Sequence, residues 1–266
     1  EALNRDTITA GDAVYLSIQP HLRIYDENSK PVKTPSYKAF IGWQSIIKTQ
    51  RNNFLTAAIE TGHYSNGQSK SAFSEAFDDN SEESRSLYED IDDNTDLAAL
   101  LNRSSGNFST NLTRVALNYR INTFDKDNYP SRSHSLTVAY QLYHNRFLGM
   151  FQFGGYNPED IKIYGRHQIE AEYEFTGHFK EMRYSLGQKI FIHPDVHPSA
   201  DIYRSETSAI LYPWDKDLGI MARFSFGYDD YNYRFLDSYS RVSIGLTWDF
   251  FTPFVVKPIN KQKAAQ

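Results

Sequence analysis

A two-residue periodicity recurs along most of the chain and restricts what it can fold into more than any other feature. Val14, Leu16, Ile18, Leu22 and Ile24 share one face, and Tyr15, Ser17, Gln19, His21 and Arg23 share the other. That is the pattern of an extended strand with one apolar side. Tyr37, Ala39, Ile41, Trp43 and Ile47 repeat it, as do Leu55, Ala57, Ile59 and Thr61. Thr113, Val115, Leu117, Tyr119 and Ile121 follow, then Leu136, Val138, Tyr140 and Leu142. The clearest segment spans 161–175, with Ile161, Ile163, Ile169, Ala171, Tyr173 and Phe175 against Lys162, Arg166, Gln168, Glu170, Glu172 and Glu174. Segments 182–192, 218–228 and 240–250 are strong and 207–212 is weaker. The phase slips at Asn145 and Arg146, after which Phe147, Phe151 and Phe153 fall on odd numbers. Either a bulge or a turn accounts for the slip. Ten strands result, or more if the slip is a turn.

The class is therefore all-β, and no composition shift divides the 266 residues. One domain over 1–251 is expected, with a tail from 252 to 266 beyond the last aromatic strand. Residues 66–107 interrupt the alternation with acidic and Ser/Asn-rich sequence. They read as one long loop, with a helical turn or two at 96–101. The chain has no cysteine, which removes disulfides, zinc–thiolate sites and thiol nucleophiles. A net charge of -5 argues against a nucleic-acid partner held through phosphates. No apolar run reaches the roughly 18 residues of a spanning helix. No basic-then-apolar leader opens the chain, and Glu1 onward reads as a mature or trimmed N-terminus.

An antiparallel sheet with one wet face alternates in the same way. Three features favour a transmembrane antiparallel β-barrel of the outer membrane of a Gram-negative bacterium. Aromatics sit near strand ends on the apolar faces (Tyr119, Tyr173, Phe175, Tyr228, Trp248, Phe250), as interfacial girdles do. Charges such as Arg120, Glu170, Glu172, Arg223 and Arg241 lie within strands on the polar faces. Glu170, Glu172, Arg120 and Arg166 read as an ion-pair network plugging the lumen. Short connections at 49–52, 176–181 and 213–217 alternate with longer ones at 25–36, 66–107, 193–205 and 229–238; the stretch 122–132 is too long for this scheme.

Against this background one stretch carries chemistry. His63 and Ser65 lie two residues apart on an extended segment, with Cα atoms roughly 6.5 Å apart and side chains on one side. Their phase is that of Leu55, Ala57, Ile59 and Thr61, so both face lipid. On the strand returning from the long loop, Asn111 shares phase with Val115 and Leu117. Polar groups facing lipid are costly unless used. Acyl transfer fits: Ser65 as nucleophile, His63 as general base, Asn111 orienting the imidazole. Backbone N–H groups around Asn66 and Gly67, helped by a cation, would hold the oxyanion. A plain interfacial histidine is the alternative, and Asn102, Asn107 and Ser109 compete with Asn111.

His63-Tyr64-Ser65-Asn66-Gly67-Gln68-Ser69 resembles the His-x-Ser-Asn-Gly-x-Ser motif of the outer-membrane phospholipase A family. The resemblance implies a twelve-stranded barrel, hydrolysis of phospholipid acyl esters, calcium dependence with a ligand at the Gln68 backbone carbonyl, and activation as a homodimer. His-Tyr-Ser-Asn is also similar to outer-membrane lipid A deacylase, which acts on lipopolysaccharide acyl chains and pairs the histidine with a glutamate, here Glu75. A non-catalytic barrel, a small pore or a structural protein, is the remaining class. Two further features read as solvated loops: His193-Pro194-Asp195-Val196-His197 and the acidic run from Asp78 to Asp93.

Overall fold

The alternation becomes a ten-stranded antiparallel meander in which each strand pairs with its sequence neighbours. The strands are β1 (Ala10–His21), β2 (Ser36–Lys48), β3 (Phe54–Ser65), β4 (Ser109–Phe124), β5 (Pro130–His144), β6 (His167–Phe179), β7 (Met182–Ile192), β8 (Tyr203–Tyr212), β9 (Leu218–Tyr228) and β10 (Ser238–Trp248). Among the described residues three short helices lie between them: α1 (Glu82–Glu89), α2 (Leu97–Leu100) and α3 (Pro158–Tyr164). The computed structural model describes residues 10–24, 26, 35–49, 53–124, 130–146, 155–179, 182–213, 218–231 and 237–248. Phe147, Phe151, Phe153, Phe250 and the tail 252–266 lie outside the described residues.

Among the described residues the sheet has ten strands, not twelve, and no backbone ladder joins β1 to β10. Side chains bring the two edges together instead. Arg23, just past β1, donates from both terminal nitrogens to the Asp229 carboxylate at 2.6 Å each, and to Tyr239 of β10 at 3.3 Å. The sheet curls so that each strand from β1 to β9 contributes to one cavity of about 290 Å³, through Gln19, Lys38, Glu60, Arg114, Gln141, Glu170, Lys189, Arg204 and Tyr228 in turn.

The wall is inverted relative to a soluble protein. Its exposed face carries Ile59, Val115, Leu117, Leu136, Val138, Ile220 and Ile244. Its inner face carries paired charges: Arg114 reaches Glu170 at 3.1 Å, and Lys189 reaches Glu170 at 3.2 Å and Glu172 at 2.9 Å. Tyr15 donates to Glu60 at 2.6 Å. Charges drawn partly out of water are stabilised by such partners. Glu170 and Glu172 thus belong to the expected network. The Arg166 backbone N–H donates to Asp195 at 2.8 Å, at the rim between α3 and β6.

Connections at 49–53, 125–129, 180–181 and 213–217 are short and lie at one end; 22–35, 66–108, 145–166, 193–202 and 229–237 are longer and lie at the other. The irregular stretch at 122–132 fits this scheme, because β4 runs to Phe124 and Phe124 pairs with Pro130. The slip at Asn145 falls where β5 ends.

At the long-loop end the usual arrangement returns. Phe73, Leu97, Phe108, Leu112, Tyr143, Tyr156, Ile163 and Tyr164 pack into a buried core, built from the loops and the inner upper ends of the strands. The long loop is therefore a folded cap. Ser81 caps α1 by accepting the Ser84 N–H at 3.0 Å. Tyr88 of α1 donates to buried Asp160 of α3 at 2.7 Å. Burial pushes the Asp160 carboxyl up to about 7.

Four expectations are corrected here. Ile161 and Ile163 belong to helix α3, because Pro158 opens a helical turn and Gly165, at φ 68°, closes it. Tyr228 shares the outward phase of Phe224 and Phe226 yet is buried. Gly227 at φ 102° breaks the alternation and turns Tyr228 inward; a Cβ there would stand 2.1 Å from the Tyr203 carbonyl. The stretch 193–197 is not a solvated loop. His193 is fully buried, held by Gln168 at 2.7 Å, and burial lowers its pKa to about 3; His197 donates to the Asp92 carbonyl at 2.9 Å. Nor is the acidic run wholly solvated, since Asp79 accepts from Asn107 at 2.7 Å and its carboxyl is raised by burial.

Candidate active site

Strand pairing builds the site. In the β3–β4 ladder His63 stands opposite Asn111 and Ser65 opposite Ser109; in β4–β5 Asn111 stands opposite His144. Between His63 and Ser65, Tyr64 points inward. It is buried with its ring 5.1 Å from Phe108 and with Lys38 Nζ 4.7 Å from its centroid. Anchoring Tyr64 inside sets its neighbours on the outer face, because successive side chains alternate. On β2, Ala39 is the residue opposite His63 and Tyr37 the one opposite Ser65, so the histidine has a small neighbour on that side. Gly62 allows the close approach of β2: a Cβ there would lie 2.1 Å from the Ala39 carbonyl.

His63 Nδ1 and Asn111 Oδ1 are 3.0 Å apart. Asn111 is fully buried, and its Nδ2 donates to the Asn145 backbone carbonyl at 2.7 Å. A carbonyl oxygen can only accept, so the amide nitrogen belongs on that side and Oδ1 belongs toward His63. Nδ1 must then carry the imidazole proton. Nε2 is left as the basic nitrogen, which is the tautomer a general base needs.

The rival asparagines and the glutamate are occupied elsewhere. Asn102 donates to the Ser71 and Ser74 carbonyls at 3.1 and 2.9 Å, Asn107 to Asp79, and Glu75 is an exposed loop residue. Among the described residues no hydrogen bond joins Ser65 to His63. Such bonds are often loose without substrate.

Of the two expected oxyanion donors only one is available. The Asn66 N–H is engaged by the Phe108 carbonyl at 3.1 Å, extending the β3–β4 ladder past Ser65. The Asn66 side chain accepts from Phe108 N at 2.9 Å and Gln68 N at 3.2 Å and donates to the Gly106 carbonyl at 2.8 Å. Asn66 is the staple of the loop mouth. Gly67 is exposed at φ 64°, a conformation glycine adopts without strain. Calcium takes six to eight oxygens, carboxylates commonly among them. Among the described residues no three acidic or histidine side chains gather at one point.

Periodicity alone missed the polar surroundings of the pair. Thr61, Thr113 and His144 lie in the outward phase and are linked to one another: Thr61 Oγ1 is 3.1 Å from Thr113 Oγ1, which is 3.0 Å from His144 Nε2. Polar residues in an apolar phase were the available signal. No family model matches the chain, and no curated protein matches it by sequence.

Proposed function

We propose that the chain is an outer-membrane β-barrel hydrolase of lipid acyl esters, phospholipase A-like, with Ser65 as nucleophile, His63 as general base and Asn111 orienting the base. The observation that carries this reading is the 3.0 Å contact from His63 Nδ1 to Asn111 Oδ1, on the same sheet face as Val115 and Leu117. A wall with this apolar outer face and a paired-charge interior suits lipid outside. A substrate ester then reaches His63 and Ser65 from the bilayer.

The chemistry proceeds in two halves. Ser65 Oγ attacks the ester carbonyl carbon as its proton passes to His63 Nε2. The Gly67 N–H, the expected donor that the ladder leaves unengaged, serves the oxyanion of the tetrahedral species. Collapse breaks the bond to the glycerol or sugar oxygen, which takes the proton back from His63 Nε2. Water repeats the sequence on the acyl-serine and releases the fatty acid. Asn111 is neutral, so it steers the tautomer and supports the imidazolium less than a carboxylate does.

A fluorophosphonate probe tests the reading in folded, detergent-dispersed protein. Wild type is expected to label at Ser65 and to release fatty acid from phospholipid. Ser65→Ala should abolish both, and His63→Ala should suppress labelling while heat-modifiable migration stays intact. Unlabelled Ser65 in folded wild type, with added calcium and with chelator alike, overturns the reading.

A further inference from the structure

Beside the catalytic pair, at the long-loop end of β5 and β6, two arginines stand without a counter-charge. His63, Asn111 and His144 form one row across β3, β4 and β5, which sets the His144 backbone about 10 Å from that of His63. Arg146 follows two residues later and stays beside that row, because its carbonyl accepts from His144 Nδ1 at 2.8 Å. Arg166 is fixed nearby at the start of β6. Its carbonyl accepts the Tyr143 N–H at 2.9 Å, and its own N–H donates to Asp195 at 2.8 Å. The Asp195 carboxylate is thereby taken up by backbone, since the His167 N–H also donates to it at 3.2 Å.

Both arginines are exposed, and among the described residues no carboxylate lies within 4.0 Å of either guanidinium. The sequence that follows Arg146, at 147–154, contains no Asp or Glu. By contrast Arg114 and Arg204 in the cavity, and Arg103 on the cap, each reach a carboxylate. An arginine fork matches a phosphate with two parallel hydrogen bonds. Further along the same strands toward the short-connection end, Val115, Leu117, Leu136 and Val138 offer an exposed apolar face to acyl chains. A lipid lying with its phosphate at the arginines and its chains on that face places the ester carbons between them, at the level of His63 and Ser65.

We propose that Arg146 and Arg166 form a subsite for the phosphate of a lipid, so that the site takes phosphorylated acyl esters in preference to neutral glycerides. Glycerophospholipids and lipid A share that chemistry. The inference rests on the hydrolase reading for the place of the ester and not for the binding of the phosphate.

Binding is measured without turnover, in full-length Ser65→Ala in micelles of a neutral detergent, from the arginine Nε–H signals. A diether phosphatidic acid should shift the Arg146 and Arg166 signals saturably, and the matching dialkylglycerol should not. Arg146→Gln and Arg166→Gln should each weaken binding about tenfold, as expected for losing a hydrogen bond to a charged group. Arg146→Lys should recover part of the loss, and Lys48→Gln, at the far end of the wall, should change nothing. Inorganic phosphate should bind far more weakly than the diether, and lipid A tells which lipid supplies the phosphate. Equal binding of the phosphorylated and neutral diethers, full affinity in both Gln variants, or inorganic phosphate binding as tightly as the lipid overturns the proposal. In active wild type the same variants should raise KM for phospholipid with kcat unchanged. Wild type that binds the diether through both arginines yet neither labels at Ser65 nor hydrolyses phospholipid overturns the hydrolase reading and leaves the phosphate subsite standing.

Discussion

The wall and the cap are built by opposite rules from one sequence. In the wall Val138 is 53% exposed with apolar neighbours, and the charges of Arg114, Glu170 and Lys189 lie inside. In the cap Leu97 is 0% exposed, surrounded by Phe73, Phe108 and Tyr164, while Glu82 and Glu83 face outward. The second arrangement is the one water organises; the first is its reverse, apolar outside and charged within. The site lies at the junction: His63 and Asn111 sit on the outer face of the wall, while Tyr64 and Leu112, next to them in sequence, are core residues of the cap. His63 and Asn111 therefore face outward while their sequence neighbours are anchored in the water-excluding core.

The largest expected separation of the two regions comes from Phe108→Ala. Removing a buried phenyl that packs edge-on against Tyr64 and Tyr164 should cost the cap about 3–5 kcal/mol. Hydrogen exchange should show the loops opening while β6 to β9 stay protected; uniform loss across the wall breaks the distinction. Next comes a matched pair, Val138→Arg in β5 and Leu100→Arg in α2, at 53% and 49% exposure. In phospholipid vesicles the first should cost about 2–4 kcal/mol at midplane depth and the second almost nothing, by denaturant unfolding. Equal effects would mean that the wall does not face lipid.

The smallest effect is in pH. His193 is neutral in the fold with its pKa lowered to about 3 by burial, so its contribution is complete above its ordinary value of 6.5 and is lost as pH falls toward 3. Asp160, raised to about 7 by burial, acts in the opposite direction: its contribution is complete below 3.8 and is lost as pH rises toward 7. Between pH 7 and 5 the two nearly cancel in wild type. Asp160→Asn should uncover the His193 loss, about 2 kcal/mol of cap protection by pH 5. A flat profile in that variant removes His193 as the acid-sensitive group.

Local periodicity made the strands legible. The limits read for 182–192 and 218–228 coincide with β7 and β9, and matching phase was enough to set Asn111 beside His63. The cap was not legible, because its order comes from contacts between distant loops such as Tyr88 with Asp160 and His197 with Asp92. Alternation also misleads where a turn imitates it. Ile161 and Ile163 are two apart in a helix of seven residues, too short to display its own period. Tyr228 follows a glycine whose backbone reverses the phase, which no pattern of side chains encodes. The engaged N–H of Asn66 was hidden for a related reason, since the ladder extends beyond the last residue with strand alternation.

The His63–Asn111 contact joins strands separated in the chain by residues 66–108. It cannot form early, because closing so long a segment is opposed by chain entropy until the cap and the β3–β4 register are in place. A newly made chain therefore holds Ser65 and His63 before Asn111 stands beside the imidazole. The juxtaposition of these residues arrives late, as a report that assembly of the cap and the β3–β4 ladder is complete.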